Sequence, residues 1–281
     1  MDQTDVQHFR AEVIAQRNLP TIPTVLTRIL SLVGNEEASA RELVDVIERD
    51  QALTGRILRL ANSAFFGQSR QVSTIPRAIM LLGFSTVRNL SLGVKVWEAV
   101  AGKLARQRVE ELWAHAVTVA VVTRTLAVRL RCCDPDEAFT AGLLHDVGRV
   151  VIASRFREAY WEAVGGGSEA EPVTALEQAA FAVDHAEVGS WLFEAWNLPL
   201  AIVEAVRQHH QPDPKPGLAA LLAATNGLVA WTDFETGTVR PESAAIFAAQ
   251  GEGGVMEEAW TRLVAEVHQS GGAGTFGSFG S

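Results

Sequence analysis

The chain has almost no cysteine: among its 281 residues there are two, Cys132 and Cys133, side by side. Adjacent thiols suit neither a structural disulfide nor a zinc clip, which fits a reducing compartment. A basic patch is missing too, and the formal net charge is −9. A surface of that sign repels phosphate backbones, so nucleic acid is not expected as a partner. Long apolar runs are also lacking. The most apolar stretch, His115 to Leu130, is interrupted by Arg124 and Arg129 and reads as too short to span a bilayer. The polar opening, MDQTDVQHFR, has no signal-peptide pattern. Together these absences predict a cytoplasmic protein with no membrane contact.

Strand-like alternation is absent as well, and nearly every segment repeats its apolar residues at helical spacing. With 48% hydrophobic and 20% charged residues the composition is that of an ordinary globular protein, and the length allows one large domain or two smaller ones. Ile22, Val25, Leu26, Ile29, Leu30 and Val33 form a first stripe. Ser39-Ala40-Arg41-Glu42 is a capping-box pattern, in which serine and glutamate satisfy free backbone amides at a helix start. Leu53, Ile57, Leu60, Ala61 and Ala64 stripe a third helix. Thr74 precedes a short helix stopped by Gly83, and Ser85 is placed to cap the next, whose buried face carries Val87, Leu90, Val94 and Trp97. A break follows at Ala101-Gly102.

The second half opens with a long helix carrying Leu112, Ala116, Val119, Thr123, Leu126 and Leu130. Asp134-Pro135 reads as an N-cap followed by proline at the first helical position, where its missing N–H costs nothing. That helix runs into His145-Asp146. Gly165-Gly166-Gly167 reads as a flexible loop, and Asp184 can cap a helix that begins at His185. Another helix runs from Leu198-Pro199 to His209-His210, where Pro212, Pro214 and Pro216 end it. Helices near 217–232 and 254–269 complete the chain. The predicted fold is all-α in two lobes, 1–101 and 102–270, with a disordered tail at 271–281 that lacks the apolar content to fold.

Five of the seven histidines occur in the order His115, His145, His185, His209, His210, with Asp146 beside the second. A site for iron, manganese, zinc or nickel needs imidazoles and carboxylates from several helices, because one helix rarely aims more than two ligands at a point. Here four helices contribute, and adjacent pairs such as His209-His210 point roughly 100° apart and can serve two ions. The predicted metal residues are therefore His115, His145, Asp146, His185, His209 and His210, holding one or two divalent ions. His8 and His268 have no such context and read as surface residues. Glu177, ahead of DHAEVG, reads first as part of a solvated helix face, with a supporting partner of the site as the alternative. Arg149 can bind a phosphate, pair with Asp146 or bond carbonyls at its helix end. Asn62 and Ser63 lie in an apolar helix segment, where the amide is expected to be buried and to bond neighbouring backbone, while Trp113, Trp191 and Trp196 belong to the core.

Several segments carry a family resemblance. In the first half these are Leu19-Pro20 with Ile22-Pro23, Asp50-Gln51-Ala52-Leu53, LRLANSAFFG from Leu58 and IPRAIMLLG from Ile75. In the second half they are Leu112-Trp113-Ala114-His115, AGLLHDVGRVV from Ala141, DHAEVG from Asp184 and Trp196 through Pro199 leading to His209-His210. Spanning about residues 18 to 212, they resemble the HDOD domain, the HD-related output domain of bacterial signalling proteins. The resemblance implies an HD-superfamily helical core preceded by a helical lobe. It also implies a regulatory or scaffolding role and partners among two-component or cyclic-di-GMP signalling proteins.

Carried over from HD-GYP relatives, Asp146 would bridge two metals, with His115 and His145 on one side and His185, His209 and His210 on the other. The sequence departs from that pattern. The closing aspartate should fall near Ala223-Ala224-Thr225-Asn226, and the equivalent position is read as Thr225, a poor ligand. Arg149 replaces a lysine that often follows the HD pair, and QPDPKPG stands where a GYP loop would be. The expected function is a non-catalytic signalling module, a protein-interaction or ligand-sensing output domain with a partly retained metal site. The alternatives are a metal-dependent phosphohydrolase acting on a nucleotide or cyclic dinucleotide, and a di-iron oxygenase.

Overall fold

A computed structural model describes residues 3–15, 24–33, 35, 37–62, 71–102, 104–165, 172–211, 217–230, 232–233, 238–239, 257–258 and 260–265. Ile22, Ser63, Ala64, Gly166, Gly167, the prolines at 212, 214 and 216, His268 and the tail at 271–281 lie outside them.

The first helices are α1 (Gln3–Ala15), α2 (Thr24–Val33), α3 (Ala40–Glu48), α4 (Gln51–Ala61), α5 (Ile75–Leu82) and α6 (Phe84–Ala101). The capping box forms as the sequence predicts: Glu42 N–H donates to Ser39 Oγ at 3.2 Å, and Ser39 N–H donates to Glu42 Oε2 at 2.9 Å. Asp50 caps α4 by accepting from Leu53 N–H at 3.0 Å. The Asn62 amide, although exposed, bridges the backbone of Leu58 and Val72.

One capping assignment fails. α6 begins at Phe84, ahead of Ser85, and has no side-chain cap. Gly83, at φ +88°, ends α5 and starts α6 in a single residue, so the two helices meet at a 118° bend. Ser85 is therefore already inside the first turn.

The second set comprises α7 (Arg106–Leu130), α8 (Pro135–Leu144), α9 (Val147–Phe156), α10 (Glu158–Gly165), α11 (Val173–Phe181), α12 (His185–Ala195), α13 (Leu200–Gln208) and α14 (Leu218–Ala230). Residues 257–258 and 260–265 are also helical. The fold is all-α apart from an antiparallel pairing of Thr232–Asp233 with Thr238–Val239, too short to show as alternation.

α7 packs most extensively on α8, and α12 packs on α9 and α13. Two glycines set how close these helices come. A Cβ on Gly142 would lie 2.5 Å from Ala120 Cα, and one on Gly148 would lie 2.0 Å from the His185 carbonyl oxygen. Gly148, two residues after Asp146, is what lets α9 touch the start of α12. α6 links the halves of the chain: it packs on α2, α4 and α5 and also on α8 and α9. Its Trp97, 2% exposed, donates Nε1–H to the Leu143 carbonyl at 3.0 Å.

α7 is 25 residues long, so length does not exclude a membrane crossing. Among the described residues it is the one helix that qualifies by length and composition, but 67% of its apolar window is buried against the rest of the fold. Trp113, Trp191 and Trp196 are buried, as their helical spacing predicts.

Candidate metal centre

The residues that lead into the site are placed by caps. Asp184 caps α12 through Glu187 N–H at 3.0 Å and so fixes His185 at the first helical position. His145 and Asp146 occupy the junction between α8 and α9, and His209 follows the last turn of α13. All six predicted site residues come together. One ligand atom from each of Asp146, His185, His209 and His210 falls within a 4.8 Å group, and His115, His145 and Asp146 form a second group. His145, Asp146, His185 and His209 are buried, His115 is half-buried and His210 is exposed.

Three imidazoles are oriented alike. The Nδ1 of His145 lies 2.7 Å from the Gly142 carbonyl, that of His209 lies 2.6 Å from the Val206 carbonyl, and that of His185 lies 2.6 Å from Glu177 Oε2. An acceptor at Nδ1 places a proton there, so in the neutral ring the Nε2 lone pair is free. All three Nε2 atoms turn toward Asp146 Oδ1, at 3.4 Å for His145, 3.2 Å for His185 and 3.8 Å for His209. The His185 Nε2 also lies 3.0 Å from His210 Nε2 and 3.3 Å from His209 Nε2. His145 Nε2 is buried with no hydrogen-bond partner. Converging imidazole nitrogens, one of them orphaned beside a carboxylate, are the donor set of a transition-metal site, and these residues could hold a metal ion.

The charge states follow from burial and neighbours. Burial pushes His145 down to about 3. It would push Asp146 up, but His145, Arg149 and the bonds from His185 and His209 hold this carboxyl well below its ordinary value. Burial also opposes a charge on His185, yet Glu177 and Asp146 outweigh it and hold this imidazole at about 9. His209 is pushed down by burial, which its contact with Asp146 only partly offsets.

Glu177 corrects the sequence reading. It is fully buried, accepts from both His185 N–H at 2.9 Å and the His185 ring, and receives the Tyr160 hydroxyl at 2.8 Å. Its position four residues before the buried Phe181 on α11 was the available signal, since that spacing puts both on one helix face. Tyr160 in turn accepts from Arg149 Nε at 3.3 Å, and Arg149 Nη1 donates to Asp146 Oδ2 at 3.2 Å. Asp146, Arg149, Tyr160, Glu177 and His185 thus close a ring of contacts.

Thr225 needs correcting as well. It is fully buried and bonds Thr123 Oγ1 at 2.8 Å and the Leu222 carbonyl at 3.1 Å. The next residue, Asn226, is the one that faces the site, with Oδ1 2.9 Å from His115 Nε2. A neutral amide therefore stands where this half of the site would need a second carboxylate.

The chain resembles known proteins in fold and in sequence. A crystal structure from Shewanella amazonensis SB2B, provisionally named a phosphohydrolase, superposes with a TM-score of 0.71 at 25% identity and covers 94% of this chain and 97% of its own. One from Marinobacter aquaeolei VT8, provisionally named a signal transduction protein, shares the fold with a TM-score of 0.68 at 22% identity, over 92% of this chain and 60% of its own. An uncharacterized protein of Treponema pallidum (strain Nichols) is 29% identical over 241 residues, which is 80% of this chain but 45% of that longer protein. The HDOD domain family matches residues 19–212, more than half of the sequence. The chain belongs to the HDOD domain family.

Proposed function

We propose that this HDOD chain is a non-catalytic signalling module whose histidine cluster holds one divalent metal ion. The observation that carries the reading is how the two oxygens of Asp146 are divided. Oδ2 is held by Arg149, which leaves Oδ1 alone facing the histidines. A two-metal phosphohydrolase clamps both the attacking and the leaving oxygen, and here the His115 side has an amide, Asn226, in place of the further carboxylate. The other side offers Asp146, His185, His209 and His210. Four protein donors fill a tetrahedral shell, as in structural sites, whereas catalytic sites keep a position for water. When bound, the metal would supply Lewis acidity. The chain's own residues orient the imidazoles through Nδ1 and neutralise Asp146.

Iron, manganese, zinc and nickel all suit this nitrogen-rich set. The partners that fit the reading are two-component or cyclic-di-GMP signalling proteins in the cytoplasm, a context consistent with the name of the Marinobacter neighbour. A second reading, a metal-dependent phosphohydrolase, draws on the orphaned His145 Nε2 and on the name of the Shewanella neighbour.

Elemental analysis of untagged protein, paired with turnover of bis-p-nitrophenyl phosphate and cyclic di-GMP, separates the two. The module reading expects one metal per chain, lost in His185→Ala, and no turnover. Hydrolysis that disappears in Asp146→Ala would establish the enzyme instead.

A further inference from the structure

We propose that the cleft between α4, the end of α6 and the start of α7 binds a small phosphorylated ligand carrying a planar ring, a nucleotide by its chemistry. The cleft has a volume of about 430 Å³, with Arg56, Arg59 and Arg106 at its walls and Trp97, Leu104 and Trp113 among its apolar lining. That size and mixture, an apolar lining with a few convergent polar groups, is the ordinary make-up of a small-molecule site.

The charges do not cancel. Lys95 is buried and shared between Asp50 and Glu98, with 2.6 Å to the latter. Arg56 leans on the same Glu98 at 3.3 Å, and Arg106 pairs with Glu110 at 2.5 Å. Arg59 is exposed and has no ion-pair partner among the described residues. One positive charge is therefore left over in this cleft, on a chain whose net charge is −9. An anion that enters meets Arg59 and can draw Arg56 away from its already shared carboxylate. Guanidinium groups suit phosphate because their planar fork donates two parallel bonds, and the same plane stacks on aromatic rings.

The apolar part of the lining gives the second half of the ligand a place. Trp97 and Trp113 pack edge to face at 5.6 Å and show only their edges to the cleft, where Ala52, Ala101, Leu104 and Val109 complete an apolar wall for the ring. Behind the cleft, Trp97 Nε1–H donates to the carbonyl of Leu143, two residues before His145. The inference does not depend on metal at the histidine cluster.

Calorimetric titration of the full chain with ADP, after dialysis against a chelator, tests it. Adenosine and pyrophosphate serve as half-ligands, and Arg59→Ala and Arg56→Ala as variants. The expected result is a single ADP site that binds tighter than either half-ligand. Arg59→Ala should weaken it about tenfold, the usual scale for one charge-assisted bond, with unchanged circular dichroism because Arg59 is exposed. Two results would overturn the proposal: no heat with ADP at millimolar concentration, or an affinity unaltered in the Arg56→Ala, Arg59→Ala double variant. Pyrophosphate binding as tightly as ADP would overturn the recognition of a ring.

Discussion

Asn226→Asp should restore the missing half of the histidine site. The substitution exchanges one NH2 group for oxygen and keeps the side chain's shape, so the contact with His115 Nε2, 2.9 Å in the present structure, survives. It adds one negative charge beside a donor group, His115, His145 and Asp146, whose ligand atoms lie within 4.8 Å of one another. At about 4 Å and an effective dielectric near 20, a unit charge pair is worth roughly 4 kcal/mol, which corresponds to about a thousandfold in affinity. Desolvation of the new carboxylate opposes this and the second charge of a divalent ion adds to it, so about a thousandfold is the scale of the effect.

The assay is metal stoichiometry by elemental analysis, with Thr225→Asp as the contrast. Asn226→Asp should take up a second equivalent. Thr225→Asp should not, because it buries a carboxylate in place of the hydroxyl that bonds Thr123 and Leu222, and it should lower thermal stability instead. If Asn226→Asp stays at one metal while Thr225→Asp gains one, the assignment of Asn226 to the site is wrong.

Other substitutions test the surroundings of the site and the first half of the chain. Glu177→Gln weakens the orientation and basicity of His185 and should reduce metal affinity by about 10–100-fold, read by competition with a chromogenic chelator; unchanged affinity would contradict its role. Tyr160→Phe removes the hydroxyl between Arg149 and Glu177, leaves the half-buried Arg149 Nε and the buried Glu177 Oε1 short of a partner and should cost about 1–3 kcal/mol in urea melts. For Asp50, burial acts to raise the carboxyl, but bonds from Lys95 and from the Leu53 amide hold it below its ordinary value. Its stabilisation is therefore fully present above the unfolded value of about 3.9 and is lost as pH falls through the lower folded value. Asp50→Asn should flatten that part of the acid limb in urea melts between pH 2 and 7, and an identical limb in variant and wild type would refute the assignment.

The helices with strong stripes or caps were legible in the sequence because local rules decide them. Ser39, Asp50, Thr74, Asp134 and Asp184 each cap the helix that follows. α1 was not legible: its buried residues reduce to Phe9 and Val13, four apart in an otherwise polar helix that packs on α12. The six candidate ligands were readable from residue type and order. Their partners were less so: spacing puts Glu177 on the buried face of α11 with Phe181, but Tyr160 and Asn226 join the site through tertiary contacts that no spacing encodes. Choosing between Thr225 and Asn226 required the rotation of α14 about its axis. Adjacent helical residues differ by about 100°, and that angle sends one to Thr123 and the other to His115.

The ring around Asp146 bears on how such a site survives without a full set of carboxylates. Asp146 and Glu177 bring two buried acidic groups, while Arg149 and a His185 held at about 9 bring two cations. A buried carboxylate is tolerated when it is paired and hydrogen-bonded, and here the pairing is complete within the protein. The Gly142 and Val206 carbonyls and the Glu177 carboxylate hold the three imidazoles at Nδ1, so contacts within the protein keep these histidines in place. Ligation requires the neutral imidazole, so metal binding here competes with protons and should weaken as pH falls.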